Sequence, residues 1–315
     1  MPGPILSLHH VTATSDRAQP DVDFFAGALG LRLLKQTVNF DNPFVYHLYY
    51  GDERGTPGTI WTTFPYSGHG VRRGRHGSGQ ITATALSVPA GSLDGWIARL
   101  ERLGSTAARL EPRFGDEVVA VTDPSGLVIE LVATDADERA PWRAPGIPAS
   151  QVSRSVHSLT MTIASPEPTI AFMTSVLGFE VVDASDRRTR LAVGGRGPGH
   201  LVDVLHDDRA PAGINGTGTV HHMAMAVATS EDQLRMRQAI ADAGVPVTNV
   251  RDRQYFTSIY FREPGGVLFE IATAGPGFAI DEPLDALGQS LKLPPWEEAN
   301  RSTIAAALPP IVVPR

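Results

Sequence analysis

The sequence predicts an α+β protein in which four βαβββ modules pair into two curved, mixed β-sheet cups. The main observation is a Leu-Gly pair that closes a helical stretch at 29–30, 103–104 and 177–178, and returns as Ala-Gly at 243–244. These pairs are 74, 74 and 66 residues apart, and a regular internal period indicates repeated structural units. A second observation is that a strand pattern precedes each helix. Because one such module cannot bury its sheet alone, the modules are expected to pair.

Each module is predicted to begin with a strand, followed by a helix that ends at the repeated glycine. The strands alternate in polarity or are rich in β-branched residues, and they cover 6–13, 80–88, 155–163 and 219–227. The amphipathic helices cover 21–29, 93–103, 166–177 and 231–243. A glycine in this place suits the left-handed conformation that caps a helix. Three further short strands are expected after each glycine.

The last strand of a module follows a turn signature in two of the four units. Asp123-Pro-Ser-Gly126 precedes the strand that ends at Glu130, and Glu263-Pro-Gly-Gly266 precedes the strand that ends at Glu270. Proline and glycine in this order favour a tight turn. The two glutamates are 140 residues apart and therefore occupy equivalent positions in the repeat.

The predicted domain boundaries follow the same repeat. Modules one and two form an N-terminal domain over 1–138, and modules three and four form a C-terminal domain over 155–274. Prolines and a glycine favour a linker over 139–154. Residues 275–315 depart from the repeat, and we expect them to form a C-terminal arm that packs on the body.

Composition excludes several classes of function. The 315 residues include no cysteine, so disulfides and thiolate metal sites are excluded and any metal must be held by His, Asp or Glu. A formal net charge of −7 without long basic runs argues against a nucleic-acid partner. Neither a signal-like N-terminus nor a long apolar stretch is present, which predicts a cytoplasmic protein that does not enter a membrane.

Four of the ten histidines form two doublets on equivalent first strands, His9-His10 in module one and His221-His222 in module four. Two matched doublets indicate a metal site more strongly than a lone histidine does. Because side chains alternate along a strand, one histidine of each doublet is expected to face the cup. Small or polar neighbours favour His10 and His222 for that face, whereas His9 and His221 share a face with apolar residues.

Glu270 is the predicted third metal ligand. It stands in an apolar run on the last strand of module four, where burial of a carboxylate without a cation would be costly. Two histidines and one carboxylate leave coordination positions open, which suits a non-haem Fe(II) that must also bind an organic substrate and O₂. The equivalent position in module one is Thr62, which is not a metal ligand.

The other potential cup is expected to be degenerate. By the repeat markers, His10 corresponds to Ser158 in module three. Glu130 and Asp203 take the late-strand positions there, but no histidine stands in register with them. This second cup is therefore not expected to hold iron.

One alternative triad stays open at this point. If modules three and four paired with each other, His157 could join His222 and Glu270 in place of His10. The repeat alone does not decide which modules share a sheet.

Arg253 and Tyr260 are candidates for catalysis beside the metal. Tyr260 stands ten residues before Glu270 and Arg253 seventeen before it, so a hairpin could bring both to the site. A phenol there could exchange a proton, and a guanidinium could hold a substrate oxyanion. The structural alternatives are a core tyrosine and a surface arginine.

These motifs resemble the vicinal oxygen chelate superfamily, which includes glyoxalases, bleomycin resistance proteins and extradiol dioxygenases. More closely, the chain resembles the four-module ring-cleaving dioxygenases that act on hydroquinones. The segments that carry the resemblance are Leu8-His-His-Val-Thr12, Tyr49-Tyr-Gly-Asp52, Val220-His-His222, Glu263-Pro-Gly-Gly266 through Glu270, and Gly277-Phe-Ala-Ile-Asp-Glu-Pro283. The similarity extends over nearly the whole chain.

The resemblance implies that His10, His222 and Glu270 bind Fe(II), with Mn(II) or another divalent metal as the alternative and O₂ as co-substrate. The residues that it implies around a small aromatic substrate are His9, His221, Arg253 and Tyr260. It thus brings the first histidine of each doublet near the pocket, against the alternation argument. It also implies that module one pairs with module four.

The expected function is therefore an Fe(II)-dependent dioxygenase that opens a hydroquinone-type ring and incorporates both atoms of O₂. Three alternatives stay open: an extradiol catechol dioxygenase, a glyoxalase-like lyase or isomerase with another divalent metal, and a metal-free resistance protein that binds a small molecule. Thr62 argues against the lyase, which would use a second carboxylate there. The sequence leaves room for a homo-oligomer.

Overall fold

Four modules of strand, helix and three strands follow one another along the chain in the computed structural model, which describes residues 3–314. Module one comprises β1 (Ile5–Ser15), α1 (Ala18–Val22), a π-helical turn over Asp23–Ala28, β2 (Arg32–Asn39), β3 (Asn42–Gly51) and β4 (Ile60–Pro65). Module two comprises β5 (Gln80–Val88), α2 (Leu93–Arg102), β6 (Ala107–Arg113), β7 (Asp116–Thr122) and β8 (Val128–Ala133).

Modules three and four have the same order of elements. Module three comprises β9 (Val156–Ile163), α3 (Pro166–Ser175), β10 (Glu180–Ala184), β11 (Arg188–Ala192) and β12 (Leu201–His206). Module four comprises β13 (Thr219–Val227), α4 (Ser230–Asp242), β14 (Arg251–Asp252), β15 (Phe256–Arg262) and β16 (Leu268–Pro276). The C-terminal arm contains three short 3₁₀ turns, at Phe278–Ile280, Leu284–Ala286 and Pro295–Asn300, and then α5 (Arg301–Ala307).

The glycine that closes each helical stretch adopts the predicted left-handed backbone. The φ angles are 71° at Gly30, 82° at Gly104, 77° at Gly178 and 78° at Gly244. An L-residue with a side chain is strained in this conformation, so glycine is the residue that ends the helix and turns the chain towards the next strand. The repeat and the α+β fold class are confirmed.

Each eight-stranded sheet joins one module from each half of the chain. The first sheet has the order β14-β15-β16-β13-β1-β4-β3-β2, and the second has β10-β11-β12-β9-β5-β8-β7-β6. Module one therefore shares a sheet with module four, and module two with module three. The first strands of the paired modules run antiparallel at the sheet centre, and each runs parallel to the last strand of its own module.

Each sheet contains strands from both predicted domains, 1–138 and 155–274. The division into these two domains stays a prediction. The segment 139–154 between its two parts contains no helix or strand. Residues 1–2 and 315, at the ends of the predicted ranges, lie outside the described residues.

The hydrophobic core lies between the helices and the sheets. The apolar faces of β1 and β13, which carry Val11 and Met223, belong to one buried cluster with Phe25 of the π-helical turn and Ile240 of α4. The opposite faces of the same strands carry small or polar residues, such as Thr12 and Ala224, and face the cup. None of the helices in residues 3–314 is both long and apolar enough to cross a membrane.

The C-terminal arm packs against module one. Lys35 of β2 is fully buried, and its Nζ lies 2.6 Å from Asp281 Oδ1 and 2.5 Å from Glu282 Oε2 of the arm. Ile304 and Leu308 join the main apolar cluster. Because a buried lysine needs charged partners, this contact fixes the arm to the edge of the first cup.

Candidate metal centre

His10, His222 and Glu270 converge at the centre of the first sheet. Nε2 of His10 lies 3.3 Å from Nε2 of His222 and 3.3 Å from Oε2 of Glu270. Nε2 of His222 lies 2.9 Å from the same carboxylate oxygen. All three side chains are buried, and within residues 3–314 they form a group of potential ligands close enough to hold one metal ion.

Strand register brings these side chains together. His10 of β1 lies opposite Ala224 of β13, two residues beyond His222. On its other side, Ala224 pairs with Glu270 of β16. Positions directly opposite or one pair apart on the same sheet face lie within side-chain reach, so three ligands from three strands meet over one point.

The first histidine of each doublet faces the cup as well, which corrects the prediction from strand alternation. Leu8 and His10 pair with neighbouring residues of β13, which leaves His9 as the extra residue of a β-bulge. His221 is the extra residue of a second bulge, on β13. Each bulge resets the alternation of side chains, so both members of a doublet point to the same side.

The two doublets make the same contact within themselves. Nδ1 of His9 lies 2.8 Å from Nδ1 of His10, and Nδ1 of His221 lies 2.7 Å from Nδ1 of His222. Burial, followed by the neighbouring His10, lowers the pKa of His9 to about 3, so its ring is neutral and can accept a hydrogen bond. These contacts orient the two inner rings with Nε2 towards Glu270.

Only one of the two carboxylate oxygens of Glu270 accepts a hydrogen bond from a protein donor. Its Oε1 accepts a hydrogen bond from Ser258, whereas Oε2 has no hydrogen-bond partner although two imidazole nitrogens face it. Burial alone would raise the pKa of Glu270, but His10 and His222 hold this pKa well below its usual range. A buried, ionised carboxylate oxygen within 3.3 Å of two imidazole nitrogens is an arrangement that a bound cation fits.

A cavity of about 260 Å³ opens beside the triad. Its lining includes groups able to form hydrogen bonds, from His221, Arg253 and Tyr260. The lining also includes aromatic rings, among them Phe40 and Phe64. A cavity lined by both kinds of group suits a small, flat ligand that carries an oxygen substituent.

Arg253 and Tyr260 both line this cavity. Tyr260 pairs with Glu270 across β15 and β16, which places the phenol next to the triad. Nε of Arg253 donates to the Tyr260 hydroxyl at 3.0 Å, and its Nη2 lies 3.2 Å from Oδ2 of Asp41. Burial raises the pKa of Tyr260, so the phenol is neutral and retains its proton.

His47 was missed by sequence reasoning. Its Nδ1 lies 2.9 Å from the Tyr49 hydroxyl and its Nε2 lies 2.9 Å from Oγ1 of Thr62, which in turn donates to Thr12 at 2.9 Å. Thr62 pairs with Thr12 as Glu270 pairs with Ala224. Thr62 therefore takes the position of module one that is equivalent to Glu270, and it offers no carboxylate there. His47 is a lone histidine on β3, and no doublet or repeat marked it.

The alternative triad with His157 was wrong. His157 lies on β9 in the other sheet, where its Nδ1 is 3.0 Å from the Ser158 hydroxyl. Modules three and four do not share a sheet, so His157 and Glu270 face different cups.

The second cup is filled by ion pairs. Glu130 accepts two hydrogen bonds from Arg113, at 3.0 Å and 2.5 Å. Nε of Arg190 lies 2.7 Å from Asp203 Oδ1. The late-strand carboxylates of this cup are therefore neutralised by guanidinium groups rather than left facing imidazoles.

Comparison with known proteins matches the chain to one superfamily and to similar curated proteins. The profile of the Glyoxalase/Bleomycin resistance protein/Dioxygenase superfamily matches residues 7–131 and 155–271. MhqO of Bacillus subtilis, provisionally assigned as a ring-cleaving dioxygenase, is 40% identical over 310 residues, which cover 98% of this chain and 97% of MhqO. The chlorohydroquinone/hydroquinone 1,2-dioxygenase of Sphingobium indicum is 35% identical over 322 aligned positions, which cover 99% of each chain.

Solved structures show the same relationship. A Bacillus subtilis protein provisionally assigned as a dioxygenase superposes with a TM-score of 0.94 at 39% identity, and the match covers 100% of both chains. Glyoxalase I from Zea mays superposes with a TM-score of 0.63 at 13% identity, over 85% of this chain and 92% of that one. The second likeness shows a shared fold.

Proposed function

The chain belongs to the Glyoxalase/Bleomycin resistance protein/Dioxygenase superfamily, and on that premise we propose that it is an Fe(II)-dependent ring-cleaving dioxygenase. The proposed substrate is a hydroquinone-type aromatic ring, which reacts with O₂ to a ring-opened product that contains both oxygen atoms. The name of the Sphingobium indicum relative, which is similar over its full length, supports this substrate class.

The observation that carries the proposal is the buried set of two histidines and one carboxylate with an unpartnered oxygen on Glu270. His10 and His222 would hold Fe(II) through Nε2, and Glu270 through Oε2. When bound, this ion would supply a Lewis acid for a substrate oxygen and electrons for O₂. Three protein ligands leave coordination positions open for the substrate oxygen and for O₂, and Thr62 adds no fourth ligand.

The outer histidines are proposed to fix the protonation state of the inner ones. A ligating Nε2 must offer its lone pair, so the proton of His10 resides on Nδ1 and is donated to His9. His222 donates in the same way to His221. Since the outer rings accept these bonds at Nδ1, their own protons reside on Nε2.

Arg253 and Tyr260 are proposed to receive the substrate. Arg253 remains a cation beside the cavity and can stabilise negative charge on a hydroquinone oxygen. Because its Nε donates to the Tyr260 oxygen, the phenolic proton of Tyr260 is free to point at a substrate oxygen. The aromatic side chains that line the same cavity would confine the ring and limit access of water.

Oxygen uptake by protein reconstituted anaerobically with Fe(II) tests the proposal. A panel of hydroquinones and catechols is offered in parallel to Fe(II)-loaded and Zn²⁺-loaded protein. We expect Fe(II)-dependent uptake with a hydroquinone, and a product that gains two labelled atoms from ¹⁸O₂. Uptake confined to catechols would make the enzyme an extradiol dioxygenase. No uptake with either class at full metal loading would contradict the dioxygenase and favour a lyase or isomerase.

A further inference from the structure

A second tyrosine besides Tyr260, with a hydroxyl that can reach a ligand, lines the cavity at the triad. This residue, Tyr66, directly follows the end of β4 and is partly buried. Burial raises the pKa of Tyr66, so its phenol is neutral and retains its proton. Tyr66 is therefore a second potential hydrogen-bond donor to a ligand in the cavity.

Asn39, at the end of β2, fixes the direction of the hydrogen bond to Tyr66. Oδ1 of Asn39 accepts the backbone N–H of Asp41 at 2.9 Å, and Nδ2 of Asn39 donates to the Tyr66 hydroxyl at 2.8 Å. Because a backbone N–H can only donate, the amide oxygen of Asn39 must face Asp41 and the amide nitrogen must face Tyr66. The phenol oxygen of Tyr66 is thus the acceptor. Within residues 3–314 its own proton is donated to no protein group, so this proton can point into the cavity.

The same arrangement recurs at Tyr260. There the donor to the phenol oxygen is Nε of Arg253, at 3.0 Å. Asp41 connects the two pairs, because its backbone N–H holds Asn39 and its Oδ2 lies 3.2 Å from Nη2 of Arg253. Each phenol accepts a hydrogen bond from a side-chain N–H group and keeps its own proton for a ligand.

The two phenols flank the triad on opposite sides. In the strand order β15-β16-β13-β1-β4, the three strands that carry the triad lie between β15, which carries Tyr260, and β4, after which Tyr66 stands. Tyr260 pairs with Glu270, and its ring centroid lies 5.8 Å from that of His222. The ring of Tyr66 lies beside Phe64 instead, at 6.2 Å between centroids. Tyr66 is therefore the donor more remote from the metal centre.

A remote donor matters for one class of diol. A hydroquinone carries its two hydroxyl groups at opposite ends of the ring, whereas a catechol carries them on adjacent carbons. When one oxygen binds at the triad, the second oxygen of a catechol stays beside it, and the second oxygen of a hydroquinone points away from it. A hydroxyl enclosed without a hydrogen-bond partner is costly, so the remote oxygen of a hydroquinone needs such a partner.

We propose that Tyr66 is a specificity-determining residue that donates a hydrogen bond to the hydroquinone oxygen remote from the metal centre. Asn39 is the positioning residue that keeps the phenolic proton of Tyr66 directed at the cavity. This inference rests on the proposed function and names the part of the substrate that distinguishes a hydroquinone from a catechol. The contact favours hydroquinones, because both oxygens of a catechol lie at the metal end of the ring.

Ligand binding to Zn²⁺-loaded protein tests the contact without turnover, since Zn²⁺ has no redox chemistry. Calorimetric titration gives dissociation constants for hydroquinone, catechol and p-cresol, which has a methyl group in place of the second hydroxyl of hydroquinone. We expect Tyr66→Phe to weaken hydroquinone binding by about 3- to 10-fold, the effect of one hydrogen bond. Binding of catechol and p-cresol should change by less than about twofold, because neither offers an oxygen to Tyr66.

Two further variants separate the direction of the hydrogen bond from the shape of the cavity. Asn39→Asp keeps the phenol but replaces the amide N–H with an acceptor oxygen, so Tyr66 would donate to this carboxylate rather than to the ligand. Hydroquinone binding should fall by a similar factor in Asn39→Asp, with catechol binding unchanged. Tyr46→Phe is the control and should bind all three ligands normally, because it removes a hydroxyl that donates to the backbone of Pro309 in the arm.

The outcomes distinguish this inference from the function on which it rests. Wild-type protein that binds no hydroquinone at full metal loading would contradict the proposed function itself. Wild-type protein that binds hydroquinone, with equal affinity in Tyr66→Phe, would overturn the role of Tyr66 alone. An equal loss for hydroquinone and p-cresol in Tyr66→Phe would also overturn it, because the phenol would then act only through its shape.

Discussion

The two cups of this protein are built on the same register and differ in what faces their carboxylates. In the first cup, Glu270 pairs with Ala224, and in the second, Glu130 pairs with Ala85 in the same parallel arrangement. Glu270 faces two imidazoles and keeps one oxygen unpartnered, whereas Glu130 is bound by Arg113. The scaffold delivers a carboxylate to the same point in both cups, and its neighbours decide whether it needs a cation.

At the other late-strand position of each cup, it is the second cup that carries the carboxylate. Asp203 pairs with Thr160 as Thr62 pairs with Thr12, so the second cup has a carboxylate where the first has a hydroxyl. Arginines nevertheless close the second cup. Its ionic side chains are Arg113, Arg188, Arg190, Asp116, Glu130 and Asp203. Among residues 3–314, these three guanidinium groups are ion-paired with these three carboxylates, so none of the three carboxylates needs a metal ion to balance its charge.

The largest expected effect comes from removal of one inner histidine of the first cup. His222→Ala should lose the metal ion and lower turnover by about 10³-fold or more, because the ion supplies several kcal/mol of transition-state stabilisation. Metal content per folded chain and oxygen uptake measure the loss. Glu130→Gln in the second cup is the control and should keep metal and turnover. Retained metal in His222→Ala would remove His222 from the ligand set.

Removal of a guanidinium from the second cup should reduce stability rather than activity. Arg190→Ala leaves Asp203 buried beside a weaker partner, Arg188 at 3.3 Å, and should lower the free energy of unfolding by about 3–5 kcal/mol. Denaturant unfolding measures this loss. Folded Arg190→Ala should still bind one metal per chain. A variant with normal stability and no metal would reverse the assigned roles of the two cups.

The outer histidines of the first cup should have an intermediate effect. His9→Ala leaves the three ligands in place but removes the acceptor for Nδ1 of His10, so Fe(II) affinity should fall by about 10- to 100-fold. Competition with a chelator measures the affinity. His221→Ala tests the equivalent contact to His222 and should give a similar loss. Ser158→Ala, which removes the hydroxyl beside His157 in the second cup, should leave Fe(II) affinity unchanged.

The smallest expected effect concerns the mouth of the first cup. Asp41 of the β2–β3 turn lies 3.2 Å from Arg253, and this partly exposed ion pair crosses the mouth from module one to module four. Asp41→Asn should raise KM by about two- to fivefold with little change in kcat, since such pairs contribute up to about 1 kcal/mol. Added salt should reduce the difference between wild type and variant. Arg251→Gln, which removes the longer contact to Asp41 at 4.0 Å, should change KM less.

The sequence by itself determined the modules and singled out the candidate ligands of the first cup. The repeated Leu-Gly pairs, the glycine caps and the turn before the last strand are local signals, so they located strands and helices to within a few residues. His10, His222 and Glu270 stood out because two equivalent first strands carry the same doublet and one late strand carries an isolated carboxylate. Local periodicity sufficed for the modules because their elements depend on contacts within one module, whereas the choice between His10 and His157 depended on which modules share a sheet.

Tertiary structure decided which modules share a sheet and which neighbours each polar group meets. The bulges that turn His9 and His221 towards the cup exist only in the pairing of β1 with β13, more than two hundred residues away along the chain. The contacts of His47 with Thr62 and of Asp41 with Arg253 likewise follow from the packed sheet. A side chain's face depends on hydrogen bonds to a partner strand, and strand periodicity alone carries no information about that partner.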